Sequence, residues 1–522
     1  MSTAPGSTVP GSTVPGSYEV GQIEKTVRFQ VIDGNDVEAL SGQRFVRSSP
    51  AHDIAVTDLP NSDVADVDLA VRAARRALEN GWRTLQGSAR AKLLHRVSHL
   101  ILRDAEALAL AETLETGKPI TQSRGEVVST AELWEYAATL CRHNTGEAHN
   151  GLGADALAMV VNEPIGVIGM ITPWNFPLLI ISQKLPFALA AGNTAVIKPS
   201  ESTSATTVML ASLVREAGIP DGVVNVVTGA RRVGTAIVEH PDVDMISFTG
   251  STGVGRILAA SAGKDLKKIE LELGGKNPQI VTASADFAAA VDAAVFGGYF
   301  NVGQCCNSGS RLIVHRSIAD EFAAAVVERT KLVALGDPLD ARTQIGAIVN
   351  DQQLGVIEHY VQEGLDAGAT LLSGGIRAAG PSARFFEPTV FTDVTAAMSI
   401  AREEIFGPVL SVLAFDTLSE AVSIANSTPF GLSAGIWSND MTEALTAARD
   451  LRAGTVWVNR WMDGYPEVAF GGYGSSGIGR ELGRQALTEF SELKTIQLQV
   501  GPRTTRWVNA PDAARATRAT TS

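Results

Sequence analysis

Short apolar runs rich in β-branched residues alternate along most of the chain with longer segments in which apolar residues recur at helical spacing. Continuous apolar runs are typical of strands that are buried on both faces. Because helices separate these runs, the pattern predicts parallel sheets covered by helices, in two α/β domains that meet at a cleft. The predicted strands are 167–171, 194–197, 223–227, 245–248, 279–281, 311–314, 409–413 and 454–458, and the predicted helices are 64–78, 89–114, 129–142 and 202–217.

The chain has 522 residues, of which 45% are hydrophobic, and a formal net charge of −13. This length is enough for two or three domains. An acidic surface disfavours nucleic acid and anionic membranes as partners, because both attract basic patches. Three cysteines do not make a disulfide framework, so a cytoplasmic location is expected. The eight histidines show no ligand spacing, so no metal site is expected.

The two ends of the chain are expected to be tails. Residues 1–20 repeat Pro, Gly, Ser, Thr and Val, and they offer almost nothing to bury, so disorder is expected there without a targeting signal. Residues 501–522 lack apolar periodicity. The longest apolar run, 178–191, is interrupted by Gln183 and Lys184 and is too short to span a bilayer. It is predicted to form a core helix.

Two of the three cysteines, Cys305 and Cys306, are adjacent within the segment 301–311, Asn-Val-Gly-Gln-Cys-Cys-Asn-Ser-Gly-Ser-Arg. A structural cysteine normally lies among apolar neighbours, where its thiol is inert. Small and polar neighbours instead let a ligand approach the sulfur. Adjacent cysteines rarely form a disulfide with each other. The pattern therefore favours a reactive thiol.

Three further segments carry groups that would complement a thiol nucleophile. Residues 269–278 form a strand-like run that carries carboxylates and ends on glycines. Residues 171–177 place the amide of Asn175 between two aromatic residues and two prolines that stiffen the backbone. Residues 248–256 form a glycine-rich turn after an apolar run. A nucleophile, a carboxylate, a rigid amide donor and a nucleotide loop together indicate covalent redox catalysis.

The chain resembles the NAD(P)-dependent aldehyde dehydrogenase superfamily from about residue 33 to about residue 500. The resemblance implies two doubly wound parallel-sheet domains, one for the cofactor and one catalytic, with a small β oligomerisation element. It rests on motifs that occur in the family's order. These are Glu-Pro-Ile-Gly-Val at 163–167, Pro-Trp-Asn-Phe-Pro at 173–177, Lys-Pro-Ser-Glu at 198–201, Phe-Thr-Gly-Ser-Thr at 248–252, Leu-Glu-Leu-Gly-Gly-Lys at 271–276, Gly-Gln-Cys-Cys at 303–306, Glu-Glu-Ile-Phe-Gly-Pro at 403–408 and Phe-Gly-Gly at 470–472.

Domain boundaries and assembly follow from the same resemblance. The NAD-binding domain is expected at 21–144 and 163–274, and the catalytic domain at 275–489. Strands at 145–162 and 490–500 pair across subunits in this family. A homodimer or homotetramer is therefore expected.

The resemblance implies three residues that carry the chemistry. Cys306 is the nucleophile, because its thiolate adds to an aldehyde and gives a thiohemiacetal that is a better hydride donor; Cys305 is expected to pack. Asn175, with the backbone N–H of Cys306, stabilises the oxyanion, for which one donor is worth about 3 kcal/mol. Glu272 deprotonates the water that hydrolyses the thioester. Glu270 is expected to form a salt bridge.

Glycines in the 248–256 turn let the backbone approach a pyrophosphate at a helix N-terminus. By resemblance, Lys198 and Glu201 bind the adenosine ribose and Glu404 binds the nicotinamide ribose. The Glu201 carboxylate accepts from a ribose 2′-hydroxyl but repels a 2′-phosphate, so NAD is expected in preference to NADP. The expected cofactor set is Ile171, Thr172, Pro173, Trp174, Lys198, Glu201, Gly229, Gly234, Phe248, Gly250, Ser251, Glu404 and Phe406.

The substrate tunnel departs from the family pattern at two positions. Many relatives that act on apolar aldehydes carry an aromatic residue where this chain has Gln183. Arg460 supports two hypotheses: it binds an anionic or strongly polar group on the aldehyde, or it forms a surface or interdomain salt bridge. By resemblance the tunnel is lined by Phe176, Ile180, Gln183, Phe300, Arg460 and Phe470, together with Val128, Leu179, Trp461 and Met462.

The leading hypothesis is a hydrolytic, NAD-dependent dehydrogenase that oxidises an aldehyde to a carboxylate. A CoA-acylating semialdehyde dehydrogenase is one alternative. That reaction passes the thioester to CoA without a water-activating carboxylate, so Glu272 argues against it. A catalytically silent structural homologue is the other alternative, and the presence of Cys306, Asn175 and Glu272 argues against it.

Overall fold

The computed structural model describes residues 18–501 and Trp507. Residues 1–17, 502–506 and 508–522 lie outside the described residues, so the two predicted tails stay predictions there. Tyr18, which falls within the first predicted tail, is anchored to the body of the protein. Its hydroxyl donates to Glu106 Oε1 at 2.5 Å.

Strands and helices alternate along the described chain as the sequence predicts. The strands are β1 (Thr26–Val27), β2 (Gln30–Ile32), β3 (Asn35–Val37), β4 (Arg44–Ser48), β5 (Ala55–Pro60), β6 (Glu147–His149), β7 (Ala156–Pro164), β8 (Val167–Ile171), β9 (Thr194–Lys198), β10 (Val224–Val226), β11 (Met245–Thr249), β12 (Lys268–Glu272), β13 (Pro278–Val281), β14 (Arg311–His315), β15 (Thr370–Ser373), β16 (Thr389–Thr392), β17 (Val409–Phe415), β18 (Ser433–Trp437), β19 (Thr455–Val458), β20 (Gly477–Ile478) and β21 (Ser491–Gln499). The α-helices are α1 (Val64–Ala77), α2 (Gly87–Arg103), α3 (Ala105–Thr116), α4 (Ile120–Leu140), α5 (Pro177–Ala191), α6 (Ala205–Glu216), α7 (Arg231–Glu239), α8 (Thr252–Lys264), α9 (Phe287–Tyr299), α10 (Ala319–Thr330), α11 (Asp351–Asp366), α12 (Ser399–Arg402), α13 (Leu418–Ala425), α14 (Met441–Asp450) and α15 (Gln485–Glu489).

The first large sheet has eight strands in the order β20-β12-β11-β8-β9-β10-β2-β3. Its five strands from β12 to β10 are parallel, and antiparallel strands close both edges. In β8, Ile168 and Met170 pack into one buried cluster, whereas Val167 and Ile171 pack into another on the opposite face. Burial on both faces accounts for the continuous apolar runs.

The second large sheet has seven strands in the order β15-β16-β17-β14-β13-β18-β19. It is parallel except for β15 at one edge. Leu312 and Val314 of β14 pack on one face and Ile313 packs on the other. The predicted fold class, two doubly wound parallel-sheet domains, is therefore confirmed.

Two small sheets complete the described architecture. One contains β1, β5 and β4. In the other, β21 pairs with β7 from Ser491 opposite Pro164 to Gln499 opposite Ala156, and β6 lies on the far side of β7. These strands fall at the positions expected for the oligomerisation element. Their pairing across subunits stays a prediction.

Some details differ from the sequence expectations. The helix predicted at 89–114 is two helices, because Asp104 leaves the helical conformation and pairs with Arg103. Strands β2 to β5 were not predicted, since they are short and mostly lack apolar runs. The buried strands β16 and β18 of the second sheet were not predicted either. β20 joins the first sheet although it lies inside 275–489, the predicted catalytic segment. Among the described residues, no helix is long and apolar enough to cross a membrane.

Candidate active site

The carboxyl ends of β8, β9, β11 and β12 meet at one edge of the first sheet. After β8 the chain continues through α5 to β9 on one side, and it later reaches β11 on the other side of β8. In open parallel sheets, a reversal of strand order creates a crevice in which ligands bind. The segments that leave these strands carry most of the predicted catalytic and cofactor residues.

Cys306 lies in a tight loop that follows α9. Asn301, Val302 and Gly303 adopt left-handed backbone conformations with φ of 50°, 58° and 70°. A β-branched residue rarely adopts such a φ, so the loop stores strain that the complete burial of Val302 helps to hold. On the other side of the cysteine, the Asn277 amide donates to the Cys306 carbonyl at 2.7 Å. The Cys306 backbone is therefore fixed from both sides.

The two adjacent cysteines lie in different environments. Cys305 is buried in an apolar cluster, as the sequence predicts, whereas Cys306 is partly exposed. A hydrogen bond to Cys305, together with burial, raises the pKa of Cys306 well above its usual range, and the negative charges of Glu404 and Glu272 raise it further. Cys306 is therefore the sulfur that a ligand can reach, and it lies within the field of two carboxylates.

Asn175 lies between the end of β8 and the start of α5, where Pro177 occupies the first helical position. It is buried, and its side-chain amide donates to the Gln304 carbonyl at 3.2 Å. Its own backbone carbonyl accepts from the Asn301 amide at 3.0 Å. An amide nitrogen carries two hydrogens, so the bond to Gln304 leaves the second one for a ligand oxygen.

Glu272 is the last residue of β12 and is 3% exposed. Neither of its carboxylate oxygens has a hydrogen-bond partner among residues 18–501. Burial raises the pKa of Glu272 well above its usual range, and the charges of Glu481 and Glu270 raise it further. Gly471 permits this placement, since a Cβ there would lie 2.6 Å from Glu272 Oε1. A buried carboxylate without a partner is suited to exchange a proton with a ligand.

A buried ion cluster beside Glu272 was not predicted as part of the site. Lys184 Nζ lies 3.3 Å from Glu270 Oε2 and donates to Glu481, and Ser247 donates to Glu270. The salt bridge predicted for Glu270 is therefore confirmed. Glu481 lies 297 residues from Lys184, so no local pattern could have paired them. The lysine within the apolar run of α5 was the only signal in the sequence.

The predicted adenosine-side residues lie at the carboxyl edge of the first sheet. Lys198 ends β9, burial lowers its pKa, and its Nζ donates to Glu201 Oε2 at 3.3 Å. Ser251 caps α8 by accepting from the Val254 N–H at 3.4 Å. A Cβ at Gly234 would lie 3.5 Å from the Lys198 side chain. Strand ends place the remaining predicted residues at the same edge, namely Ile171, Pro173, Gly229, Phe248 and Gly250.

Unpartnered polar atoms in this groove fit a nucleotide. The buried hydroxyls of Thr172 and Thr249, where β8 and β11 end, have no hydrogen-bond partner in the described part of the chain. Buried polar groups are nearly always hydrogen-bonded, so these two are suited to meet a ligand. The Thr172 backbone N–H donates to the Lys198 carbonyl at 3.1 Å, so Thr172 lies beside the end of β9, which carries this lysine.

Glu404 and Phe406 reach the same crevice from the loop that precedes β17. The Gly275 N–H donates to Glu404 Oε1 at 3.0 Å, and the carboxylate occupies the space that a Cβ at Gly274 would need. Burial raises the pKa of Glu404 to about 7. The ring of Phe406 meets the ring of Trp174 edge-on, with centroids 5.3 Å apart. The two domains therefore face each other across the predicted nicotinamide position.

The apolar residues predicted to line the tunnel form a cluster around Cys305. Phe176 and Ile180 are buried with this cysteine, and Phe300 and Met462 pack against them. The rings of Phe176 and Phe300 are stacked, with centroids 6.0 Å apart. The wall next to the cysteine pair is therefore aromatic and aliphatic.

The polar tunnel candidates lie elsewhere or are already bonded. The Arg460 guanidinium donates to Asp463 and, at 2.9 Å, to the Tyr465 hydroxyl, and the side chain is half exposed. Of the two Arg460 hypotheses, the structure shows the surface salt bridge. Gln183 is half-buried on α5, and Phe470 exchanges backbone hydrogen bonds with Glu481. Contact of these residues with substrate stays a prediction.

The fold and the site describe a class of protein, namely nucleotide-binding oxidoreductases with a thiol nucleophile. The family model described as the aldehyde dehydrogenase family matches residues 37–496. An aldehyde dehydrogenase from Aspergillus niger is 44% identical over 90% of this chain and 95% of its own length. The chain belongs to the aldehyde dehydrogenase family, which confirms the predicted family and enzyme class.

Solved structures agree with this assignment. The NAD-dependent aldehyde dehydrogenase from Sinorhizobium meliloti is 47% identical, with a TM-score of 0.93 over 95% of this chain and 99% of its own. A variant of betaine aldehyde dehydrogenase from Staphylococcus aureus, in complex with NAD+, is 38% identical, with a TM-score of 0.90 over 92% of this chain and 99% of its own.

Proposed function

We propose that this protein oxidises an uncharged, apolar or aryl aldehyde to a carboxylic acid with NAD and releases the acid by hydrolysis. One observation carries the proposal. The partly exposed thiol of Cys306 lies within the field of Glu272, a buried carboxylate whose two oxygens have no partner among residues 18–501. A thiol and a free base in one cleft provide both halves of a hydrolytic covalent mechanism.

In the first half, the Cys306 thiol gives up its proton to water, and its sulfur adds to the aldehyde carbon to form a thiohemiacetal. Negative charge develops on the aldehyde oxygen. The second amide hydrogen of Asn175 and the Cys306 backbone N–H would donate to that oxygen, each donor being worth about 3 kcal/mol. Because Pro177 and the bond to Gln304 hold Asn175 in place, this donor is preorganised.

Bound NAD supplies the acceptor for the hydride that leaves the thiohemiacetal. Thr172, Lys198 and Glu201 would hold its adenosine side, and Glu404 its nicotinamide ribose. Glu201 is half exposed, and its carboxylate would repel a 2′-phosphate, so we propose a preference for NAD over NADP. The relative solved with NAD+ supports this choice.

In the second half, Glu272 takes a proton from water, which attacks the thioester on Cys306. A carboxylate with a raised pKa is a stronger base than an ordinary one, provided that it is ionised. Glu272 is the residue that favours hydrolysis over acyl transfer to CoA. The presence of Cys306, Asn175 and Glu272 also supports an active enzyme over a catalytically silent homologue.

The tunnel wall supports an uncharged substrate. Phe176, Ile180 and Phe300 surround Cys305, whereas the one cation in the predicted set, Arg460, is neutralised by Asp463. A carboxylated aldehyde would have to compete with that carboxylate for the guanidinium. We therefore propose that anionic aldehydes are poor substrates.

We also propose a homodimer or homotetramer in the cytoplasm. Leu493, Ile496 and Leu498 on β21 are exposed, and an antiparallel sheet with exposed apolar residues is suited to pairing with a second copy. All three cysteines are free, which fits a reducing compartment.

NADH formation without CoA tests the proposal, with phenylacetaldehyde, acetaldehyde and a carboxylated aldehyde as substrates. We expect turnover on the first two. Cys306→Ala should abolish it, whereas the matched variant Cys305→Ala should retain measurable turnover. NADH formation that begins only after CoA is added would overturn hydrolysis, and preference for the carboxylated aldehyde would overturn the substrate class.

A further inference from the structure

A second buried ion cluster lies beside the tunnel and has no part in the chemistry above. Lys118 lies between α3 and α4, and its side chain is fully buried. Its Nζ lies 2.5 Å from Glu126 Oε2 and 3.2 Å from Glu112 Oε1. Burying three charged side chains is costly, and an apolar trio of similar volume is often at least as stable. A contribution to stability therefore does not explain why these three charged side chains are buried.

A glycine with positive φ and two hydrogen bonds fix the backbone around Lys118. Gly117 adopts φ +83°, and a Cβ there would lie 2.9 Å from Pro50. Its carbonyl accepts from the Ala347 N–H at 3.0 Å, and the Lys118 N–H donates to Thr116 Oγ1 at 3.1 Å. Together with the two carboxylates, these bonds define where the ammonium lies.

The ammonium lies over an aromatic ring of the tunnel. Lys118 Nζ is 4.3 Å from the centroid of Phe176, well within the range of a cation–π contact. Phe176 directly follows Asn175 and stacks on Phe300, so its ring forms the wall next to the predicted oxyanion donor. A desolvated cation attracts the face of such a ring more strongly than an exposed one does.

We propose that Lys118 is a positioning residue that fixes the ring of Phe176 in the tunnel wall and so sets the affinity for aryl aldehydes. It does not touch the reacting atoms and acts through the ring. Glu112 and Glu126 hold the ammonium in place. The proposal rests on the proposed function, because that function defines the tunnel.

The test compares phenylacetaldehyde with acetaldehyde, which is too small to need the ring. In Lys118→Met we expect the ratio of kcat/KM for the two aldehydes to fall about fivefold, mainly through a higher KM for phenylacetaldehyde. Lys118→Arg should restore most of the ratio, since a guanidinium also binds an aromatic face. In a Phe176→Leu background, Lys118→Met should change the ratio no further.

Three outcomes would overturn the positioning role. They are an equal loss on both aldehydes through kcat, an unchanged ratio in Lys118→Met, and an undiminished effect of that substitution in the Phe176→Leu background. If Lys118→Met does not fold, the triple variant K118M/E112Q/E126Q removes the cluster without leaving an unpaired charge. Failure of the proposed function is separate, because it would show as absence of NADH formation by the wild type.

Discussion

Replacing Glu272 with Gln tests the hydrolytic half of the mechanism most directly. The substitution keeps the size of the side chain and removes its ability to take a proton. Because neither oxygen of Glu272 is bonded to residues 18–501, no described hydrogen bond is lost. The steps before hydrolysis, which need Cys306 and Asn175, should be preserved.

The expected size of the effect follows from the role. A general base typically contributes about 10²- to 10⁴-fold, so steady-state turnover of Glu272→Gln should fall by about that factor. The thioester should then accumulate on Cys306. Rapid mixing with excess NAD and phenylacetaldehyde should show a burst of about one NADH per active site, followed by a slow steady rate.

The same substitution should change stability in a pH-dependent way. The pKa of Glu272 is raised by burial and by two neighbouring carboxylates, so the folded protein binds this proton at a higher pH than the unfolded chain does. The stability linked to this proton is fully present below the unfolded pKa and is lost as pH rises through the folded pKa. Glu272→Gln has no ionisable group at this position, so its stability does not fall in this way as pH rises. Its unfolding free energy should therefore exceed that of the wild type by an amount that grows with pH, about 1.4 kcal/mol for each unit of pKa elevation.

Two results would refute this reasoning. Steady-state turnover of Glu272→Gln within tenfold of the wild type would show that another group activates water. Loss of both the burst and the steady state would place Glu272 in the acylation half. Chemical denaturation at acidic and alkaline pH gives the stability comparison, with unfolding followed by tryptophan fluorescence.

Three further predictions concern the groups around this base. Burial raises the pKa of Glu404 to about 7, so the carboxylate becomes ionised as pH rises through that value. The ionised form is the better acceptor for ribose hydroxyls, and the KM for NAD should therefore fall over the same pH range. Glu404→Gln should abolish this pH dependence. Glu201→Gln removes the charge that repels a 2′-phosphate, so NADP/NAD selectivity in kcat/KM should rise about tenfold, and unchanged selectivity would contradict the role. Gly471→Ala places a Cβ 2.6 Å from Glu272 Oε1 at a residue with φ +149°, so it should lower the free energy of unfolding by more than about 1 kcal/mol and slow hydrolysis. The control Gly355→Ala, on an open helical surface, should do neither. Equal melting temperatures for the two variants would contradict this prediction.

The sequence predicts most of the parallel strands, because burial on both faces leaves a strong local pattern, but it misses β16 and β18, which are also buried and parallel. The run at 167–171 coincides with β8, and its neighbours differ by one residue or two at their ends. The break at Asp104 was missed, since apolar spacing continues across it. Short edge strands such as β3 were missed because exposed residues carry no apolar period.

The site shows the same division between local and distant information. Cys306, Asn175 and Glu272 occur in compact motifs whose composition already indicates chemistry. Lys184 and Lys118 were visible only as charges, and their partners could not be read from the sequence. Glu481, the second carboxylate on Lys184, reaches it because β20 and the following segment return to the first sheet. Such pairing depends on the fold and has no local signature.

The charge count inside the site links these buried clusters to the chemistry. Three buried carboxylates, Glu270, Glu272 and Glu481, share one lysine, Lys184. The charges of Lys184 and Arg480 lower the pKa of Glu272, but they do not offset burial and the two neighbouring carboxylates. Burial raises the pKa of Glu481 to about 8, and Glu272 is raised with it. Beside Cys306 there is thus a carboxylate whose surroundings disfavour its charge, whereas Lys184 and Arg480 favour the ionised form and oppose that effect.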